Sequence, residues 1–181
     1  MQRTLTLLAL GLVAASVQAQ SDDYRGFFGV RVGASYFTNS DMRDYFGSGK
    51  IAIGFGPVAP VTAKDWKVGT DVDLQYANEN GNRVLLIPLT VGISRTFGKS
   101  NNGGRPYMAL RAGAAYLDYA ITPVVGTRIS EHKVVPAANA EVGLVFGDRM
   151  KLSARYDYFG RTRGFTFDAV QFSLSYGLVK F

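Results

Sequence analysis
The chain has 181 residues, 47% hydrophobic and 13% aromatic, with 21 glycines, only 19% charged residues and no cysteine. That length is one domain, and the missing cysteine excludes disulfide frameworks, thiol catalysis and Cys-based zinc sites. The formal charge of +6 comes from basic residues scattered singly, so nucleic acid is not an expected partner.

In chain order, residues 1–19 come first. Arg3 is followed by an apolar stretch from Leu5 to Val17 and by the small-residue site Val17-Gln18-Ala19. This is the pattern of a cleaved secretory signal peptide, with a hydrophobic run too short to span a bilayer. Residues 20–181 are then expected to form one domain outside the cytoplasm. Its cleanest apolar run, Val84 to Ser94, is bracketed by Arg83 and Arg95 and is too short for a membrane helix.

Apolar residues recur at every second position, which is the period of strands. Eight such segments are predicted. Tyr24–Phe37 carries Phe28, Val30, Val32, Ala34 and Tyr36 on one face. Lys50–Gly56 carries Ile51, Ile53 and Phe55, and Trp66–Ala77 sets Trp66, Val68, Val72, Leu74 and Tyr76 against Lys67, Asp71, Asp73 and Gln75. Val84–Phe97 follows, with Pro88 marking a local irregularity. Pro106–Asp118 and Ala137–Gly147 carry Arg111 and Glu141 in mid-strand on their small-residue faces. Met150–Phe159 sets Leu152, Ala154, Tyr156 and Tyr158 against Ser153, Arg155 and Asp157, and Phe167–Phe181 closes the series. There Val179 and Phe181 fall out of phase with Val170 to Leu178, which predicts a bulge near Gly177 or Leu178.

Turn-rich connections separate the segments, namely Thr38–Gly47, Pro57–Asp65, Asn78–Asn82, Gly98–Arg105, Tyr119–Pro136 and Gly160–Gly164. Tyr36, Tyr76, Tyr116 and Tyr156 recur every forty residues, a hairpin period; a propeller is disfavoured because no Trp-Asp signature accompanies it. The fold class predicted is all-β: an eight-stranded antiparallel up-and-down transmembrane β-barrel.

Alternation alone leaves open a soluble calyx with the greasy face inward. Three features favour greasy side out. The opposite face is rich in Gly, Ala and Ser, which suits a narrow lumen. The aromatics sort by strand end, with Tyr36, Tyr76, Tyr116 and Tyr158 at one rim and Phe55, Trp66, Phe97, Phe146 and Phe181 at the other, as two bilayer interfaces select. The sequence also stops on an aromatic directly after its last strand.

The signal peptide, the Ile87-Pro88-Leu89 strand, the Gly-rich strand after Pro106-Tyr107 and the ending Leu174-Ser175-Tyr176-Gly177-Leu178-Val179-Lys180-Phe181 together resemble small outer-membrane β-barrel proteins of the OmpX and OmpA barrel type. The resemblance covers nearly the whole mature chain. It implies residence in the outer membrane, and it implies that Phe181 is read as a signal by the outer-membrane assembly machinery. The phase break before Phe181 departs from the strict alternation of that family.

The lumenal face is expected to hold Arg31, Lys50, Lys67, Arg111 and Arg155 against Asp71, Asp73, Glu141 and Asp157. Unpaired buried ions cost several kcal/mol, so these charges should pair. The pairs either plug the barrel or form a gate, made by Arg31, Asp73, Arg111, Glu141 and Arg155, in a narrow porin-like channel for ions or small solutes.

No enzyme is predicted. Ser130, Glu131 and His132 are neighbours on one connection and cannot converge as a triad, and there is no Gly-x-Ser-x-Gly turn. Asp71 and Asp73 lack calcium-loop spacing and answer lumenal arginines better than a metal. Gly47-Ser48-Gly49-Lys50 continues into Ile51 and is not a phosphate loop.

No cofactor or metal is expected. Expected partners are outer-membrane lipids, the assembly machinery and, at the basic loop residues Arg128, His132, Lys133, Arg161 and Arg163, lipid phosphate or an anionic surface polymer. A closed sheet has no edge to pair, so a monomer is expected.

Overall fold
The computed structural model describes residues 27–58, 66–98, 104–123, 126–147 and 149–180. Residues 1–19, where a signal peptide is expected, residues 59–65 and Phe181 lie outside the described residues.

Eight strands follow one another in order: β1 (Phe27–Phe37), β2 (Gly49–Val58), β3 (Lys67–Glu79), β4 (Asn82–Thr96), β5 (Arg105–Ile121), β6 (Ile129–Phe146), β7 (Met150–Phe159) and β8 (Ala169–Lys180). Each pairs antiparallel with its neighbours, and β8 returns to β1, so the sheet is a closed barrel. The period-2 pattern forces this closure. A sheet with one apolar face can bury its other, charged face only by wrapping around it.

The apolar face is the exterior. Val32, Ile51, Val68, Leu110, Val142 and Leu174 are all exposed, whereas Arg31, Asp73, Glu141 and Arg155 are at most 5% exposed. The alternation that predicted greasy side out is therefore realised in the closed sheet.

Lumenal glycines let so narrow a barrel coil. A Cβ on Gly33 would overlap the Phe172 carbonyl oxygen of β8, and one on Gly92 would overlap the Leu110 carbonyl oxygen of β5. These are backbone obstacles, so relief requires the strands to part. Gly92→Ala is expected to destabilise the barrel by about 1 to 3 kcal/mol, read as a lower urea midpoint for unfolding from detergent.

The predicted bulge is present. Gly29 faces Gly177 but Phe28 faces Val179, which leaves Leu178 as the extra residue of β8. Leu178 and Val179 are consequently both exposed. Pro88 produces a gap and no bulge. The pairs Val72–Leu89 and Gln75–Leu86 keep one frame, while Asp73 and Leu74 between them have no ladder partner in β4, since Pro88 has no N–H to give.

Two predicted connections are corrected. Tyr119–Pro136 is mostly strand: β5 and β6 pair out to Ile121 opposite Ile129, well past the end of the β6–β7 pairing at Ala137. Alternation continues there with polar residues on its solvated side, so the apolar pattern faded before the strand did. The other is Thr38–Gly47, which contains a short helix, α1 (Ser40–Phe46). Asn39 caps it by accepting from the Asp41 amide at 2.8 Å, and Gly47 ends it at φ 74°.

Candidate functional site
The described lumen has two compartments. At the rim carrying α1 it is apolar. Met42 and Phe46 project from α1 into the mouth and pack with Phe37, Val84, Leu86, Leu117, Tyr119, Phe159 and Phe167. Phe167, predicted to open the last strand, instead lies before β8 and is fully buried in this plug. Polar ties hold the loop down. Asn82 donates to the Tyr45 carbonyl at 3.1 Å, Asn39 donates to Thr166 Oγ1 at 2.8 Å, and Arg43 donates to the Phe37 and Thr38 carbonyls. The expectation of a polar lumen from end to end is corrected here. Val84, Leu86 and Leu117 sit on inward positions because the mouth is filled by protein and not by water.

Below the plug lie the ion pairs. Arg31 Nη2 is 2.7 Å from Asp71 Oδ2 and also bridges Asp73. Arg155 touches three carboxylates: Asp71 at 3.0 Å, Asp157 through Nε at 2.8 Å, and Asp73. It further donates to Gln171 Oε1 at 2.7 Å, while Gln75 donates to Asp157 at 3.1 Å. Toward the opposite rim, Glu141 accepts Arg111 through Oε2 and Lys151 through Oε1, each at 2.7 Å. Arg111 also donates to the Tyr107 hydroxyl at 2.7 Å and to Asn139 at 3.2 Å.

The strands make this possible: β1, β3, β5, β6 and β7 each aim every second side chain at one axis, where charges distant in sequence meet. All seven candidates are buried in the lumen, in two clusters: Arg31, Asp71, Asp73, Arg155 and Asp157 in one, Arg111 and Glu141 in the other. Lys151 and Tyr107 were missed. Parity was the available signal, since Lys151 is two residues before Ser153 and Tyr107 two before Ala109, both on the inward face. Lys67 is half-buried at the rim opposite α1.

A cavity of about 10 Å³ between Gly29, Arg31, Asp71, Lys151 and Ser175 is the size of one water. Among the described residues no group of His, Asp and Glu has the arrangement to hold a metal.

Outside, exposed aromatics stand toward both strand ends, with Tyr156, Phe172 and Tyr176 exposed further along β7 and β8. Tyr36, Tyr76 and Tyr158 are exposed and Tyr116 half-buried toward the α1 rim, with Phe55, Trp66, Phe97 and Phe146 exposed toward the other. Ser130, Glu131 and His132 are consecutive on β6, so Glu131 points to the opposite face from the other two. His132 is exposed opposite Asp118.

Glu131, beyond the lipid-height belt, accepts from the Tyr119 hydroxyl at 2.8 Å and bridges Arg163 at 3.0 Å and Lys133 at 3.7 Å. The Tyr119 hydrogen bond chiefly holds its carboxyl below the usual range. A depressed carboxyl stabilises the folded state above its unfolded value and stops doing so as pH falls through the folded one. Acidification is therefore expected to release the β7–β8 connection from β6, seen as faster amide exchange around Arg163. Glu131→Gln should show that exchange at neutral pH and lose the response to acid.

An apolar exterior between two aromatic rows, closed around a buried ion-pair interior, defines a small transmembrane β-barrel protein. Solved barrels share the architecture. The chain superimposes on Ail, the attachment invasion locus protein of Yersinia pestis, in its complex with the heparin analogue sucrose octasulfate. The TM-score is 0.52 at 14% identity, over 86% of this chain and 99% of that one. It superimposes on the N-terminal β-barrel domain of Pseudomonas aeruginosa OprF with a TM-score of 0.51 at 12% identity, over 84% of this chain and 99% of that one. At such identities the likeness is one of fold. No protein-family model and no curated protein matches the sequence.

Proposed function
We propose that this chain is a non-enzymatic, monomeric outer-membrane protein that strengthens the envelope and presents its α1 rim and β5–β6 hairpin to the cell exterior as a contact surface. The observation that carries the reading is the filled lumen: an apolar plug stands over buried ion pairs, so what the barrel offers is its rim and not a passage. The export signal in residues 1–19 supports the location, and Phe181 is the residue the assembly machinery would read.

The contact surface is basic in part. Arg128, Arg161 and Arg163 are exposed on the β5–β6 and β7–β8 connections. Guanidinium groups suit sulfate and phosphate oxygens. That Ail was crystallised with a heparin analogue makes a sulfated or phosphorylated surface polymer the partner to try first. Folded protein is expected to be retained on immobilised heparin in a salt-dependent way, with retention lost when the three arginines become alanine. Retention unchanged by those substitutions would remove the polymer from the reading.

Two further measurements test the whole. Unheated detergent extracts should migrate differently from heated ones on electrophoresis, and the protein should stay with membranes until detergent is added. Planar bilayers should record no discrete current steps; steps whose size changes in Glu141→Gln would establish the narrow channel instead.

A further inference from the structure
Among the described residues the lumen holds more buried cations than buried carboxylates. Its four buried carboxylates, Asp71, Asp73, Glu141 and Asp157, are bridged by four buried cations, Arg31, Arg111, Lys151 and Arg155, and the charges cancel. Arg105, also buried, lies toward the opposite rim and donates to the Gly147 carbonyl. Lys50 remains. It is 2% exposed, and its ammonium has no hydrogen-bond or ion-pair partner among the described residues. The group sits 4.1 Å from the centroid of Phe37 and 5.9 Å from that of Phe159. Those ring faces attract the charge but supply no oxygen to its N–H bonds.

Its neighbours are unfilled in the same sense. Strand register places Lys50 of β2 opposite Ser35 of β1, and Ser35 opposite Gln171 of β8, in one inward row. Ser35 Oγ and Gln171 Nε2 have no hydrogen-bond partner among the described residues, and both residues are fully buried. Gln171 Oε1 is taken by Arg155, so its amide nitrogen is the free end. The nearest carboxylate on the β7 side, Asp157, is already engaged by Arg155 and Gln75. The row therefore presents a lysine amine nitrogen, a hydroxyl and an amide N–H₂, three donor groups with no hydrogen-bond partner among the described residues. Buried donors left empty cost free energy, and a buried unpaired ion costs more.

We propose that Lys50, Ser35 and Gln171 bind a small monovalent anion of halide size beneath the plug, which goes beyond the envelope role proposed above. Donor chemistry excludes a metal cation or an ammonium ligand. The apolar groups overhead, Phe37, Phe46 and Phe159, exclude a large hydrated polyanion. The site satisfies the Lys50 row and joins β2, β1 and β8, the strands that meet where the barrel closes.

The test compares chloride with gluconate at fixed ionic strength, using folded protein in detergent and following the temperature at which the folded electrophoretic form disappears. At chloride tenfold above its dissociation constant the midpoint should have risen by about 3 to 6 °C, and it should go on rising with the logarithm of chloride concentration. Lys50→Met, which keeps the bulk without the charge, should abolish the difference. If that variant does not fold, bromide-soaked crystals of the unaltered protein decide: an anomalous peak within hydrogen-bond distance of Lys50 Nζ is expected. Equal midpoints in the two salts, a chloride effect that persists in Lys50→Met, or water in place of bromide would each overturn the proposal.

Discussion

Glu141→Gln is expected to lower the unfolding free energy by about 3 to 5 kcal/mol, the usual cost of removing one member of a buried ionic cluster. Glu141 is 1% exposed and is the sole carboxylate bridging either Arg111 or Lys151, at 2.7 Å in both cases. An amide keeps the volume and one acceptor but no charge, so two cations are left buried together. Both are largely shielded from water, the Lys151 side chain at 2% and the Arg111 side chain at 7% exposure. Urea unfolding from detergent, followed by tryptophan fluorescence of Trp66, reads the change. Asp118→Asn is the control. Its bridge to Arg83 is long, at 3.8 Å, and the two side chains are 54% and 28% exposed, so its loss should cost less than about 1 kcal/mol. Similar losses for the two variants would mean that the lumenal pairs are solvated.

On the other face of the same sheet, Val32→Arg should cost about 2 to 4 kcal/mol in a bilayer, the penalty for a cation at mid-depth on the lipid side of a barrel. Val32 is 54% exposed, lies midway along β1 between Phe28 and Tyr36, and is flanked by Ile53 of β2 and Leu174 of β8. A guanidinium there can reach headgroups only by bending along the strand. The same substitution in a soluble calyx with this surface would improve solubility. Refolding into lipid vesicles measures the difference, and an unchanged or increased folded fraction for Val32→Arg would contradict a lipid-facing exterior. Together the two variants separate the faces: each inserts or strands a charge, and in each the loss follows from which side of one strand the residue occupies.

Most of the barrel was legible because strand parity is a local property. Leu152, Ala154, Tyr156 and Tyr158 alternate with Ser153, Arg155 and Asp157, and that alone gives β7 its observed limits and its two faces. The phase slip before Phe181 likewise gave away the bulge at Leu178, since two consecutive outward residues need one extra position. The candidate ion pairs were visible as types and as a face, though Lys151 needed the parity to be carried two residues further back.

The partners were not legible, because they depend on register around a closed ring. That Arg155 reaches Asp71, eighty-four positions away, while Lys50 reaches no carboxylate follows from strand stagger and the narrow bore. The plug was hidden for a related reason. Val84, Leu86 and Leu117 look like ordinary members of apolar strands until α1 is seen to fold Met42 and Phe46 over them. Sequence alone thus determined the strands, their number and which side is greasy, since these follow from the two-residue repeat of an extended backbone. Only the tertiary structure decided which charges meet, which are left over and how the mouth is closed, because those outcomes require residues far apart in the chain to share one enclosed axis.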